Sequence, residues 1–87
     1  MKIWFKIWEN GHMLRDYTVV DESGDTRTHK VFGALKEACY EFDLMQPIWL
    51  DATIAEFKRY ARARFTKDCF VEEIPFDYME IHVIEED

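Results

Sequence analysis

The side chains with chemistry to offer are few and scattered. His12, His29, His82, Cys39 and Cys69 are the soft metal ligands, and none stands in a C-x-x-C, H-x-x-x-H or H-E-x-x-H spacing. Asp21-Glu22-Ser23-Gly24-Asp25 gathers acids around a glycine. It lacks the alternating register of a calcium loop and the later bidentate glutamate. Ser23, the single serine, sits in that acidic turn with no base in prospect. Asp68 disfavours a thiolate at the adjacent Cys69, with Lys67 opposing it. Glu72 and Glu73 point to opposite sides of an extended chain and read as solvated surface. No glycine-rich phosphate loop is present. The expectation is a non-enzyme with no catalytic residues, no metal and no cofactor.

Two constellations carry binding chemistry instead. Residues 58–67 contain Lys58, Arg59, Arg62, Arg64 and Lys67 and no acid, a run that can neutralise phosphates. Residues 2–9 alternate Ile3, Phe5 and Ile7 with Lys2, Trp4, Lys6 and Trp8, so one side of a strand carries tryptophans flanked by lysines. The C-terminal segment 77–85 alternates in the same way, Met79, Ile81 and Val83 against Tyr78, Glu80, His82 and Ile84. Placed side by side, the two strands offer a face of Trp4, Trp8, Tyr78, His82 and Ile84.

Those strands need a scaffold. Asn10-Gly11 is a favoured tight-turn dipeptide and predicts a hairpin to a second strand over about 13–21. There Met13, Arg15, Tyr17 and Val19 make the better core face, with Leu14, Asp16, Thr18 and Val20 opposite. Val31, Phe32, Leu35, Ala38, Cys39, Phe42 and Met45 recur at helical spacing, which predicts a one-sided helix running to about Leu44. Asp25, Thr26 and Thr28 are its candidate caps, and Pro47 ends it. Ile48-Trp49-Leu50 reads as a short edge strand or a plug over the core. Thr53-x-x-Glu56 matches a capping box, with Asp51 a second candidate, and opens a helix over about 52–65 that buries Ile54, Phe57, Ala61 and Phe65. On that reading Lys58, Arg59 and Arg62 share one helix flank and Arg64 projects from the other side. Phe70, Val71 and Ile74 anchor a loop over 66–76.

The predicted fold class is α+β: one domain over residues 1–87, a small antiparallel sheet of three or four strands, and two helices on one face, in the order ββα(β)αβ. The first strand is the most hydrophobic and is placed centrally. Both helices are then committed to one face, and the Trp4 face is left without cover unless loop 66–76 or Ile48–Leu50 folds across it. Large uncovered aromatic patches serve partners. The expected partner is a second copy or another protein.

The net charge is −7, with eight acids and no Lys or Arg in residues 68–87, which disfavours non-specific attraction to nucleic acid or an anionic membrane. No stretch has the length and apolarity of a membrane span, and MKIWFKIWE lacks a signal-peptide pattern, so a cytoplasmic protein is expected, with Cys39 and Cys69 unpaired. TRTHKVFGALKEACYEFDL (26–44), PIWL (47–50), EFKRYARARF (56–65) and FDYMEIHVIEED (76–87) together resemble a group of small uncharacterised bacterial proteins of this length. The resemblance spans nearly the whole chain, implies a self-standing cytosolic protein and carries no functional residues over. The function expected is a homodimerising or protein-interaction module working through the aromatic sheet face. The alternative is a nucleic-acid-associated accessory protein using the basic run.

Overall fold

The alternation of residues 2–9 and the Asn10-Gly11 dipeptide act together. Strand β1 (Lys2–Glu9) and strand β2 (His12–Val20) form an antiparallel hairpin in the computed structural model, which describes residues 1–87. Asn10 and Gly11 both have positive φ, 51° and 76°, as a turn matched to the twist of its strands requires. One irregularity interrupts the register. Ile7 lies opposite Arg15 and Trp8 opposite Met13, so Leu14 is an extra residue. Arg15, Tyr17 and Val19 keep to the core side as expected. The bulge turns Met13 to the other side, against the expectation that it shares their face.

Helix α1 (Arg27–Phe42) starts at Thr26, whose Oγ1 accepts a hydrogen bond from the His29 N–H at 3.2 Å. It ends two residues earlier than expected, because Asp43 takes the left-handed conformation (φ 57°) and bonds back to the last turn. Lys30, Val31, Ala34, Leu35, Ala38, Cys39 and Phe42 are buried. Phe32 and Met45, expected in that stripe, are exposed, although the Phe32 ring packs beside Trp49.

Residues 44–50 form no strand. Ile48 is tied to the loop by its N–H to the Cys69 carbonyl at 2.7 Å, and Trp49 is the plug. Its ring meets Phe65 edge-on with centroids 4.8 Å apart and Phe57 at 5.4 Å. Helix α2 (Asp51–Tyr60) is capped at Leu50 with no side-chain bond, so neither expected cap forms. Thr53 is buried inside the first turn, its Oγ1 3.7 Å from Cys69 Sγ. Glu56 instead accepts the Arg64 N–H at 3.0 Å.

The expected helix over 52–65 breaks at Ala61, which sits at φ 55°. The chain reverses there and returns as strand β3 (Arg62–Thr66), before a single 3-10 turn at Lys67–Cys69. Strand β4 (Tyr78–Glu85) follows. The fourth strand is therefore 62–66 and not 48–50. Phe65 is buried as expected, but through two-residue rather than helical spacing, which buries Ala63 with it.

The sheet is antiparallel throughout, in the order β2-β1-β4-β3, so β1 is central as expected. Both helices cover one face. Between them and the sheet lie Ile3, Phe5, Ile7, Leu35, Ala38, Phe65, Met79 and Ile81 in one contiguous core, joined by the expected loop anchors Phe70 and Ile74 and by Phe76, whereas Val71, expected as a third anchor, is exposed. Ile54 and Ala61, expected in the core, are half-buried. No helix is long and apolar enough to cross a membrane.

Candidate interaction surface on the open sheet face

Because alternate residues point to opposite faces, the register of the four strands fixes what the uncovered face carries. Three rows cross it. Thr18, Trp4, His82 and Arg62 form the first, Asp16, Lys6, Glu80 and Arg64 the second, and Met13, Trp8, Tyr78 and Thr66 the third. Lys2 and Glu85 extend it at one end with Ile84 beside them. Trp4, Trp8, Tyr78, His82 and Ile84 therefore lie on one surface. The loop anchors and Trp49 pack into the core on the helix side.

The surface is not a plain aromatic patch. Trp4 and Trp8 are half-buried, lying over a charge pair in the middle row. Lys6 Nζ and Glu80 Oε1 are 3.3 Å apart, with side chains only 6% and 8% exposed. The Lys6 ammonium sits 3.9 Å from the Trp4 ring centroid, a cation held over an aromatic face. Trp8 Nε1 donates to Glu80 Oε1 at 3.0 Å, and Arg62 Nε donates to Glu80 Oε2 at 2.7 Å. Burial opposes the charged form of Glu80, but the bonds from Arg62 and Trp8 and the charge of Lys6 outweigh it, and its carboxyl titrates below the usual range. At the sheet edge Trp4 Nε1 donates to Asp16 Oδ2 at 2.9 Å.

His82 stands in the first row between Trp4 and Arg62. Its Nδ1 is buried without a hydrogen-bond partner. Burial, and then the charges of Arg62 and Lys6, push its pKa down, with Glu80 opposing. It is a neutral imidazole at pH 7. Ile84, Val20 and Met13 are the exposed apolar side chains around the rim.

The basic run does not form one helix flank. Only Lys58 and Arg59 belong to α2; Arg62 and Arg64 project from β3 onto the open face, and Lys67 begins the 3-10 turn. Arg62 is engaged by Glu80, and Arg64 Nε lies 3.7 Å from Glu56. Cys39 and Cys69 are both free and buried, and burial, with the charge of Glu72, pushes the Cys39 thiol up to about 11. No three His, Cys, Asp or Glu side chains converge as a metal cluster.

Alternation alone places Lys6, Asp16 and Glu80 away from the core, but the sequence does not show that they meet. Each is one charged residue in an alternating strand. Only the register Lys6↔Asp16 and Lys6↔Glu80 shows that they share a row. Comparison with protein-family models, with curated proteins and with solved structures finds no match to this chain.

Proposed function

We propose that this chain is a homodimerising interaction module, and that the open face of its sheet is the surface through which it works. One observation carries the reading: both helices cover the same face, so the opposite one, with Trp4, Trp8, Tyr78 and Ile84 around a neutralised charge pair, faces solvent. Half-buried tryptophans and an apolar rim are what a partner surface contributes. Four strands about 4.8 Å apart and about six residues long give a plan area on the order of 400 Å² per copy. The two copies together bury about 800 Å², below the roughly 1,200–2,000 Å² of stable interfaces, so the dimer is a weak one that dissociates on dilution. The free buried thiols support a cytosolic setting. The nucleic-acid alternative is not carried forward, because its five bases divide among a helix, a strand and a turn in a chain of net charge −7.

Light scattering over a dilution series tests the proposal. The expected result is a dimer at high concentration that becomes a monomer on dilution. Ile84→Lys leaves the Lys6–Glu80 pair intact and is expected to be a folded monomer throughout. Trp4→Glu and Trp8→Glu are expected to be monomeric as well, with altered tryptophan emission. A wild type that is monomeric at every concentration overturns the proposal.

A further inference from the structure

The charges on the open face alternate by strand. From one edge to the other, β2 carries Asp16, β1 carries Lys2 and Lys6, β4 carries Glu80 and Glu85, and β3 carries Arg62 and Arg64. The column signs are therefore minus, plus, minus, plus.

Sheets that stack with strands nearly aligned have two simple two-fold choices. An axis across the strands, through the middle row, lays each strand on its own copy. It sets Asp16 on Asp16, Lys6 on Lys6 and Arg64 on Arg64. An axis parallel to the strands, between β1 and β4, lays β2 on β3 and β1 on β4. Every column then meets its opposite sign. We infer, resting on the dimer reading above, that the partner is a second copy related by a two-fold axis parallel to the strands, with Asp16 facing Arg64 of the partner subunit.

The geometry allows it. Asp16 and Arg64 are exposed and occupy the middle row, which any rotation of one sheet on the other displaces least. The edge strands lie about 7 Å from the axis, so the usual ~30° between packed sheets moves them by about 4 Å, within reach of an arginine. Lys6 and Glu80, 6% and 8% exposed beneath the tryptophans, stay paired within each copy, while Trp4 meets His82 of the partner subunit and Trp8 meets Tyr78 of the partner subunit.

Charge reversal reads the arrangement directly. Asp16→Arg sets two arginines against each other twice per dimer, and Arg64→Glu sets two acids against each other twice. Each is expected to weaken the dimer about 100-fold, roughly tenfold per contact. An equimolar mixture restores both contacts and is expected to form a heterodimer containing one copy of each variant. Thr18→Glu adds an acid opposite Arg62 of the partner subunit and is expected to tighten the dimer about threefold or more, a gain that misfolding does not produce. The readouts are solution mass across a concentration series, native mass spectrometry of the mixture, and circular dichroism of each variant. If the wild type dimerises and Ile84→Lys does not, but the mixture fails to form a heterodimer and Thr18→Glu does not tighten, the axis is wrong while the dimer reading stands. If the wild type is monomeric, or Ile84→Lys dimerises normally, the dimer reading itself falls.

Discussion

Replacing Glu80 by glutamine removes one charge and almost no volume, and its cost follows from what Glu80 holds. Its side chain is 8% exposed and serves Lys6, Trp8 and Arg62. The amide still accepts from Trp8 or Arg62, and Arg62, about half exposed, returns to water at little cost. Lys6 does not. Its ammonium, 6% exposed, is left with the Trp4 ring as its main partner. Breaking a buried ion pair from one side costs about 3–5 kcal/mol, and the retained hydrogen bond brings Glu80→Gln to about 2–4 kcal/mol. For a chain of this size that lowers the thermal midpoint by about 10–25 °C. Lys6→Met is the contrast. It leaves Glu80 with Arg62 and Trp8, and the expected loss is under about 1 kcal/mol. Thermal and urea melts in the dilute, monomeric range measure both.

The same pair fixes a pH dependence. Glu80 titrates below its unfolded value, so its contribution to stability is present above the unfolded pKa and is lost as pH falls through the folded one. The gap between wild type and Glu80→Gln is therefore flat from pH 6 to 8 and narrows below about pH 4.5, where the protonated carboxyl resembles the amide. A Glu80→Gln protein melting within about 4 °C of wild type, which is under ~1 kcal/mol, refutes the reasoning. So does a Lys6→Met protein that melts lower than Glu80→Gln, or a gap still undiminished at pH 3.

Thr26→Ala removes the cap of α1 and is expected to cost about 1 kcal/mol in a urea melt. Ala61→Gly relieves a left-handed alanine at φ 55° and is expected to raise stability by about 0.5–1 kcal/mol; a loss would mean that the half-buried methyl outweighs the backbone strain. Cys39 and Cys69 are buried, and the Cys39 thiol is pushed up to about 11, so a disulfide reagent at pH 8 is expected to label neither in the native protein and both after unfolding in guanidinium.

The hairpin was legible because its signals are local: two alternating runs and an Asn-Gly that tolerates positive φ. The body of α1 was legible for the same reason. The end of α2 was not. Phe57, Ala61 and Phe65 fit a helix at four-residue spacing, Ala63 and Phe65 fit a strand at two-residue spacing, and Lys, Arg and Ala favour continuing the helix. The outer edge of β4 decides it. Pairing Arg62 with His82 and Phe65 with Met79 satisfies that edge, and no local pattern encodes the contact. The turn itself is an alanine where a glycine would have announced it. The open face divides in the same way. Alternation placed Trp4, Trp8, Tyr78, His82 and Ile84 together, whereas the Lys6–Glu80 pair beneath the tryptophans depends on register.

A sheet face of aliphatic residues would stack on its copy equally well and in many registers. The charge columns narrow those choices. With the two-fold axis parallel to the strands, the sequence minus, plus, minus, plus meets its reverse and every column is matched. Sliding one copy sideways by a single strand, about 4.8 Å, puts like charge on like charge in every column that still overlaps. The buried pair also sets the orientation of the rings, because Lys6 seats beneath Trp4 and Glu80 takes the Trp8 N–H. In the proposed dimer the exposed columns, Asp16 against Arg64 of the partner subunit above all, favour one register, a form of specificity that hydrophobic burial does not supply.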